Sequence, residues 1–168
     1  MPDIIAIGGG QASFSFVNKL RSLGCNKSIT IICSEKFLPY QRPPLSKKFL
    51  AGEFEKNRLL FRTKNFYTEN KINTIIGQRV VEIDRKHNKI YLDSGRFLKY
   101  KILFLGLGSK PRLLQTDNKI ISNLFYIRNI ENVELFANEF QYKKKLLILG
   151  GGYIGLEVAA VARKMGID

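Results

Sequence analysis

Acidic residues are scarce in this sequence: 14 Asp and Glu stand against 28 Lys and Arg, a formal net charge of +14 at pH 7. Cysteine is scarcer still. Cys25 and Cys33 lie without the CxxC spacing of a redox pair and without further zinc ligands, so no metal site is expected and both are read as small buried hydrophobes. Long apolar runs are missing: Ile102 to Leu107 is six residues, and no run approaches the ~20 a spanning helix requires. No membrane association is expected. The opening Met1-Pro2-Asp3 has no basic leader region and no small-residue cleavage site, which makes the cytoplasm the expected compartment.

What remains is the composition of a globular protein, 168 residues with 45% hydrophobic content, enough for a substantial core. The positive charge has two readings. Lysine can simply occupy solvated surface, or a basic face can steer an acidic protein or hold nucleic acid non-specifically. Lysines are scattered from Lys19 to Lys164, and only Lys143-Lys144-Lys145 forms a tight run. That scatter favours the first reading and disfavours nucleic acid as a partner.

Two segments share one pattern. Asp3 to Ile7 is a short apolar run leading into Gly8-Gly9-Gly10-Gln11-Ala12-Ser13, then a helix-like stretch from Phe14 to Leu23 ended by Gly24. A further apolar run, Ile29 to Cys33, ends at Ser34-Glu35. Strand, glycine turn, helix and strand with a terminal acid is the pattern of a dinucleotide fold. Gly8 allows the sharp turn, Gly10 lets a pyrophosphate approach the backbone, and the third position, here Ser13, permits close helix-to-strand packing. Glu35 is placed to accept hydrogen bonds from ribose hydroxyls.

The pattern returns 142 positions later, counted from Gly8 to Gly150. Lys145 to Leu149 reads as a strand, Gly150 to Glu157 holds all three glycines at Gly150, Gly152 and Gly155, and Val158 to Gly166 reads as helix. Two such turns imply two nucleotide sites in one chain, and hence electron transfer between two dinucleotides. Between them Ile72 to Ile76, Val80 to Asp84, Lys89 to Leu92 and Phe97 to Leu107 read as strands, with a turn at Asp93-Ser94-Gly95. They predict a three-stranded antiparallel insertion that feeds back into a parallel sheet. Ile130 to Phe140 reads as a helix with Val133, Leu135, Phe136 and Phe140 partly on one face. The expected fold class is α/β, a Rossmann-like domain over 1–140 with an antiparallel β insertion, followed over 141–168 by the first strand and helix of a second Rossmann-like domain.

With both glycine motifs, the block LPYQRPPLSKKFLAGE at Leu38 to Glu53 resembles the ferredoxin-reductase type of FAD-dependent pyridine nucleotide-disulfide oxidoreductases, and the resemblance covers essentially the whole chain. It implies FAD in the first domain, NAD(P)H as electron donor in the second, and a ferredoxin-like or rubredoxin-like protein as electron acceptor. By matching positions, Gly8, Gly10, Ala12 and Ser13 would lie against the FAD pyrophosphate and Glu35 against its adenosine ribose. Arg42, Val80, Gly108 and Arg128 would add FAD contacts. Gly150, Gly152, Tyr153, Ile154 and Gly155 would serve the nicotinamide nucleotide.

The resemblance also implies that Lys47 lies beside the flavin and pairs with Glu157, the two residues expected to act in catalysis. A cation there would stabilise the negative charge of reduced flavin, and the carboxylate would orient it. No cysteine stands near the Pro-Pro-Leu-Ser-Lys block, which argues against disulfide-reductase chemistry. Two departures are visible: Ser13 at the third turn position, and Gly106-Leu107-Gly108 where the family usually has Ala-Thr-Gly. After Asp168 the second strand of the nicotinamide domain and the returning FAD segment are not present, so an N-terminal fragment is expected. The alternative is a catalytically inactive FAD- or nucleotide-binding remnant.

Overall fold

The computed structural model describes residues 2–114, 121–140 and 145–168. In chain order the elements are β1 (Ile4–Ile7), α1 (Gln11–Ser22), β2 (Ile29–Cys33), a 3-10 turn (Pro43–Ser46), α2 (Lys56–Leu59), α3 (Lys64–Glu69), β3 (Ile72–Ile76), β4 (Val80–Asp84), β5 (Lys89–Leu92), β6 (Phe97–Lys99), β7 (Ile102–Leu105), α4 (Ile130–Phe140) and α5 (Tyr153–Lys164). They gather into two compact units, Met1–Gln41 with Leu60–Gly108, and Arg42–Leu59 with Ser109–Asp168. Lys143 and Lys144 of the lysine run lie outside the described residues.

The first unit is built on a parallel sheet of order β3-β2-β1-β7. Its register runs Ile4 to Ile29 and Ile7 to Ile32 on one side of β1, and Ile4 to Ile102 and Ile7 to Leu105 on the other. Every residue of β1 and β2 is buried, as expected of parallel strands covered on both faces. The alternation divides the cover. Ile4, Ala6, Ile29, Ile31 and Cys33 face Val17 of α1 and Tyr67 of α3, with Phe14, Phe16 and Phe104 packed around them. Ile5, Ile7 and Ile32 face Ile90, Leu92 and Tyr100. That second face is closed by the antiparallel sheet β4-β5-β6, the insertion expected from sequence.

Three boundaries move. The helix after the first glycine turn starts at Gln11, three residues before Phe14, because Gly10 in an extended conformation is its N-cap. The helix after the second turn starts at Tyr153, five residues before Val158, with Gly152 as N-cap. The run Phe97 to Leu107 divides at Tyr100-Lys101, because the N–H groups of Lys101 and Ile102 both bond the Asp3 carbonyl and turn the chain from one sheet to the other.

In the second unit, α4 buries Ile130, Val133, Phe136 and Phe140, while Leu135, expected on that face, is exposed. Phe136 packs on Phe125 and Phe140 with ring centroids 5.4 and 4.8 Å apart. Lys145–Leu149, expected as a strand, forms none. Among the described residues it pairs with no strand, and Leu146 N–H bonds the Asp168 carbonyl at 2.7 Å; a strand exists only through its partner. Among the described residues no helix is long and apolar enough to cross a membrane.

One tight point of the first unit is where α1 passes the residue that follows β7. A methyl group placed on Gly106 would stand 2.3 Å from Ser13 Oγ, and Ser13 is fully buried. Gly106→Ala should therefore cost about 1–3 kcal/mol, the usual range for overpacking. The same substitution in a Ser13→Ala background should cost less, a non-additivity that urea unfolding of the four proteins of the cycle measures.

Candidate functional site

Each glycine turn links an apolar segment to a helix whose first N–H groups point outward. In the first, Gly8 has φ +118°, and a Cβ there would lie 2.1 Å from the Gly106 carbonyl oxygen. Only glycine fits, for both reasons. A Cβ on Gly9 would meet Cys33 Sγ at 2.9 Å, so the turn lies directly on the end of β2. Gly10 differs: φ is −103°, a conformation open to any residue, and no protein atom lies within 4 Å of where its Cβ would be. The space beside it is the cradle that a phosphate needs.

The helix above that cradle is prepared for an anion. The first internal bond of α1 runs from Phe14 N–H to Gly10 O at 3.1 Å, so the N–H groups of Gln11, Ala12 and Ser13 precede it. The N-cap supplies no side-chain hydrogen bond and the first turn holds no acid. The helix α5 has the same properties, with Gly152 as N-cap. By contrast α4 is closed by its own sequence, since Asn129 Oδ1 accepts the Asn132 N–H at 2.8 Å, and Glu131 occupies its first turn. Backbone donors that precede the first helical bond and the positive end of the helix dipole together favour a bound phosphate. The residues present thus fit a dinucleotide pyrophosphate at the first turn.

Glu35, two residues past β2, is held in place. Its Oε2 accepts the Tyr40 hydroxyl at 2.5 Å, and its backbone carbonyl accepts the Gly77 N–H at 2.9 Å. Tyr40 is buried, so the carboxylate has a fixed anchor; sequence reasoning missed this residue. Val80 opens β4 opposite Leu92, two residues after Gln78, whose N–H bonds the Cys33 carbonyl at 3.1 Å. Gly108 has φ +66°, and ends the first unit. Cys33 is buried, with its thiol pushed up to about 12 by burial first and the Glu35 charge second. Such a thiol is no nucleophile near neutral pH. Cys25, expected to be buried, is half-buried.

In the second unit the remaining candidates come together in two pairs. Arg42 Nη1 donates to the Arg128 carbonyl at 2.9 Å. Lys47 Nζ lies 3.0 Å from Glu157 Oε1. The other carboxylate oxygen, Oε2, accepts the Ser46 hydroxyl at 2.5 Å. Ser46 was not among the sequence candidates: a hydroxyl beside a lysine carries no periodicity or charge signal. The Ser46 hydrogen bond first, and the Lys47 ammonium after it, hold the Glu157 carboxyl below the usual carboxylate range, with partial burial pushing the other way.

The second turn repeats the glycine logic of the first. A Cβ on Gly155 would lie 2.7 Å from the Gly150 carbonyl oxygen and 3.2 Å from Ile148, whereas Gly152 faces open space. Gly150, at φ +107°, requires glycine. Together with Tyr153 and Ile154, both exposed, these glycines line a cavity of about 1050 Å³. Among the described residues no group of three or more His, Cys, Asp and Glu could hold a metal ion.

Comparison with known proteins agrees with this geometry. Residues 2–168 match the family described as pyridine nucleotide-disulphide oxidoreductase. The chain is 36% identical over 165 residues to rhodocoxin reductase of Rhodococcus erythropolis, covering 98% of this chain and 39% of that protein. The ferredoxin reductase for the CYP199A2 system from Rhodopseudomonas palustris superposes with a TM-score of 0.92 at 37% identity, over 98% of this chain and 41% of its own. The putidaredoxin reductase–putidaredoxin covalent complex gives a TM-score of 0.92 at 33% identity, over 99% and 40% of the two chains. The chain thus spans about two fifths of the length of the relatives it matches.

Because the folded Glu157 carboxyl sits below its unfolded value, its contribution to stability is present above the unfolded value and is lost as pH falls through the folded one. Glu157→Gln should therefore flatten the acid limb of the stability profile by lowering stability above it, while changing little at the acid end, where Glu157 is already protonated. Urea midpoints measured across the acidic range in both proteins test the sign.

Proposed function

The chain belongs to the pyridine nucleotide-disulphide oxidoreductase family, and from that premise we propose that it serves in an FAD-dependent reductase that takes electrons from NAD(P)H and passes them to a small ferredoxin-like or rubredoxin-like carrier protein. One observation carries this reading: the first glycine turn presents the uncapped, acid-free start of α1 to the open space beside Gly10. The carrier is suggested by relatives whose names specify ferredoxin, rubredoxin and putidaredoxin.

Gly8, Gly10, Ala12 and Ser13 would hold the pyrophosphate, and Glu35, anchored by Tyr40, would accept the ribose hydroxyls. Val80, Gly108, Arg42 and Arg128 complete the set assigned to FAD. FAD, when bound, supplies a hydride acceptor that can release electrons singly. Lys47 would place positive charge at the flavin ring, and Glu157 would fix the direction of that charge. Gly150, Gly152, Tyr153, Ile154 and Gly155 are assigned to the nicotinamide nucleotide. By function the boundary is set at 140/141, with residues 1–140 serving FAD and 141–168 opening the nicotinamide part. The reading also places the chain in the cytoplasm, where NAD(P)H is available as donor.

The absence of a thiolate narrows the chemistry within the family. Cys33 is buried with its thiol pushed up to about 12, and the Pro43–Ser46 block contains no cysteine. Electrons would therefore leave from the flavin itself rather than from a dithiol.

Gly10→Val provides a clean test, because the backbone conformation is ordinary and the space beside it is empty of protein. Melting should be nearly unchanged, while FAD affinity, read by quenching of flavin fluorescence, should fall at least ~10-fold as the side chain fills the phosphate position. Equal affinity in both proteins would refute the assignment. An absorbance spectrum of the purified chain before and after anaerobic NADH separates two outcomes. A flavin band that bleaches supports the reductase, whereas a band that persists identifies nucleotide binding without turnover.

A further inference from the structure

Among the described residues, polar links at four places join the Arg42–Leu59 segment to the rest of its unit. Three are exposed or modest: Lys56 Nζ to Glu134 Oε1 at 2.6 Å, Lys164 Nζ to Glu53 Oε1 at 2.8 Å, and Arg42 to the Arg128 carbonyl. Exposed ion pairs of this kind contribute little, because solvent screens them and long side chains lose rotamer freedom in forming them. The fourth is built differently. Ser46 is 4% exposed, and its hydroxyl occupies one oxygen of the carboxylate whose other oxygen faces Lys47.

The lysine cannot orient itself. Its side chain is 49% exposed, and a flexible four-carbon stem carrying a compact ammonium adopts many rotamers unless its counter-charge is fixed. The carboxylate of Glu157 is equally free to rotate if only one oxygen is engaged. A short, buried donor on the second oxygen removes that freedom, and a serine has a single side-chain torsion to settle.

The backbone beneath is pinned as well. Pro43 and Pro44 open the 3-10 turn, Leu45 N–H bonds the Arg42 carbonyl at 3.0 Å, and Lys47 N–H bonds the Pro44 carbonyl at 3.1 Å. Adjacent residues thus deliver two donors to the two oxygens of one carboxylate, the arrangement that confers directional specificity on charge-assisted pairs.

We propose that Ser46 is a positioning residue: its hydroxyl fixes Glu157 so that Oε1 is held toward the Lys47 ammonium, and through Glu157 it sets where the lysine's charge is presented. The inference deepens the flavin reading and rests on it for the use made of that charge. The geometry itself is independent of any bound cofactor.

The experiment is a carbon-13 NMR titration of the Glu157 side-chain carboxyl in the full 168-residue chain, with wild type, Ser46→Ala and Lys47→Met compared. In the same samples the Lys47 ammonium nitrogen is followed for order. The expected result for Ser46→Ala is an upward shift of the Glu157 midpoint toward the ordinary carboxylate range, larger than that of Lys47→Met, together with loss of order at Lys47. Ser46→Cys, which keeps the volume and weakens the donor, should move both readouts in the same direction and serves if the alanine variant fails to fold. An unchanged Glu157 midpoint with an unchanged Lys47 signal in a folded Ser46 variant overturns the proposal. Addition of FAD separates the two readings: a chain that takes up no flavin while the Ser46 shifts persist loses the proposed function but keeps the clamp. Flavin uptake with no Ser46 effect does the reverse.

Discussion

The first unit depends on how closely α1 can approach the strand at the far side of β1. That approach is set by an exchange of volume between two residues 93 positions apart, Ser13 and Gly106, where the serine oxygen occupies the space a side chain on Gly106 would need. Gly8 is confined by the same residue, through the Gly106 carbonyl oxygen. The turn, the helix and β7 therefore share one close contact. A larger residue at Gly106 would lift α1 and change the direction of the N–H groups that the glycine turn presents.

This contact bears on Ser13 and on Gly106, while nothing in it accounts for Leu107. Serine in place of glycine at the third turn position looks like a weakened motif in isolation. Glycine where the resemblance leads one to expect alanine looks like a second, unrelated change. In the fold they compensate, since each accommodates the other. A single chain read from left to right shows two substitutions; their coupling becomes visible only when the parallel register sets Ile7 beside Leu105 and brings Gly106 next to the turn.

The parallel strands were legible because strands buried on both faces read as continuous apolar runs, and Ile4–Ile7 and Ile29–Cys33 are such runs. At Lys145–Leu149 the same signal has no partner strand among the described residues, because an apolar run reports its hydrophobicity and not whether a strand pairs with it. Leu147 and Leu149 accordingly remain exposed. At the sites, the glycines were legible through their spacing, and Lys47 and Glu157 through a resemblance. Tyr40 and Ser46 were not. Each acts by a single hydroxyl aimed at a carboxylate, Glu35 in one case and Glu157 in the other, and a hydroxyl leaves no trace in charge or periodicity.

That repeated device bears on how a chain of net charge +14 can place individual charges. With 28 cations and 14 anions, every carboxylate is surrounded by possible ion-pair partners, and Coulomb attraction in water discriminates weakly among them. Direction must come from groups that are short, buried and neutral. A buried tyrosine holds one oxygen of Glu35, and a buried serine holds one oxygen of Glu157 while Lys47 faces the other. Substituting the cation partner would change how strongly such a carboxylate is held. Substituting the hydroxyl would change which way it points, and for a site that must present charge to a particular atom the second change is the more damaging.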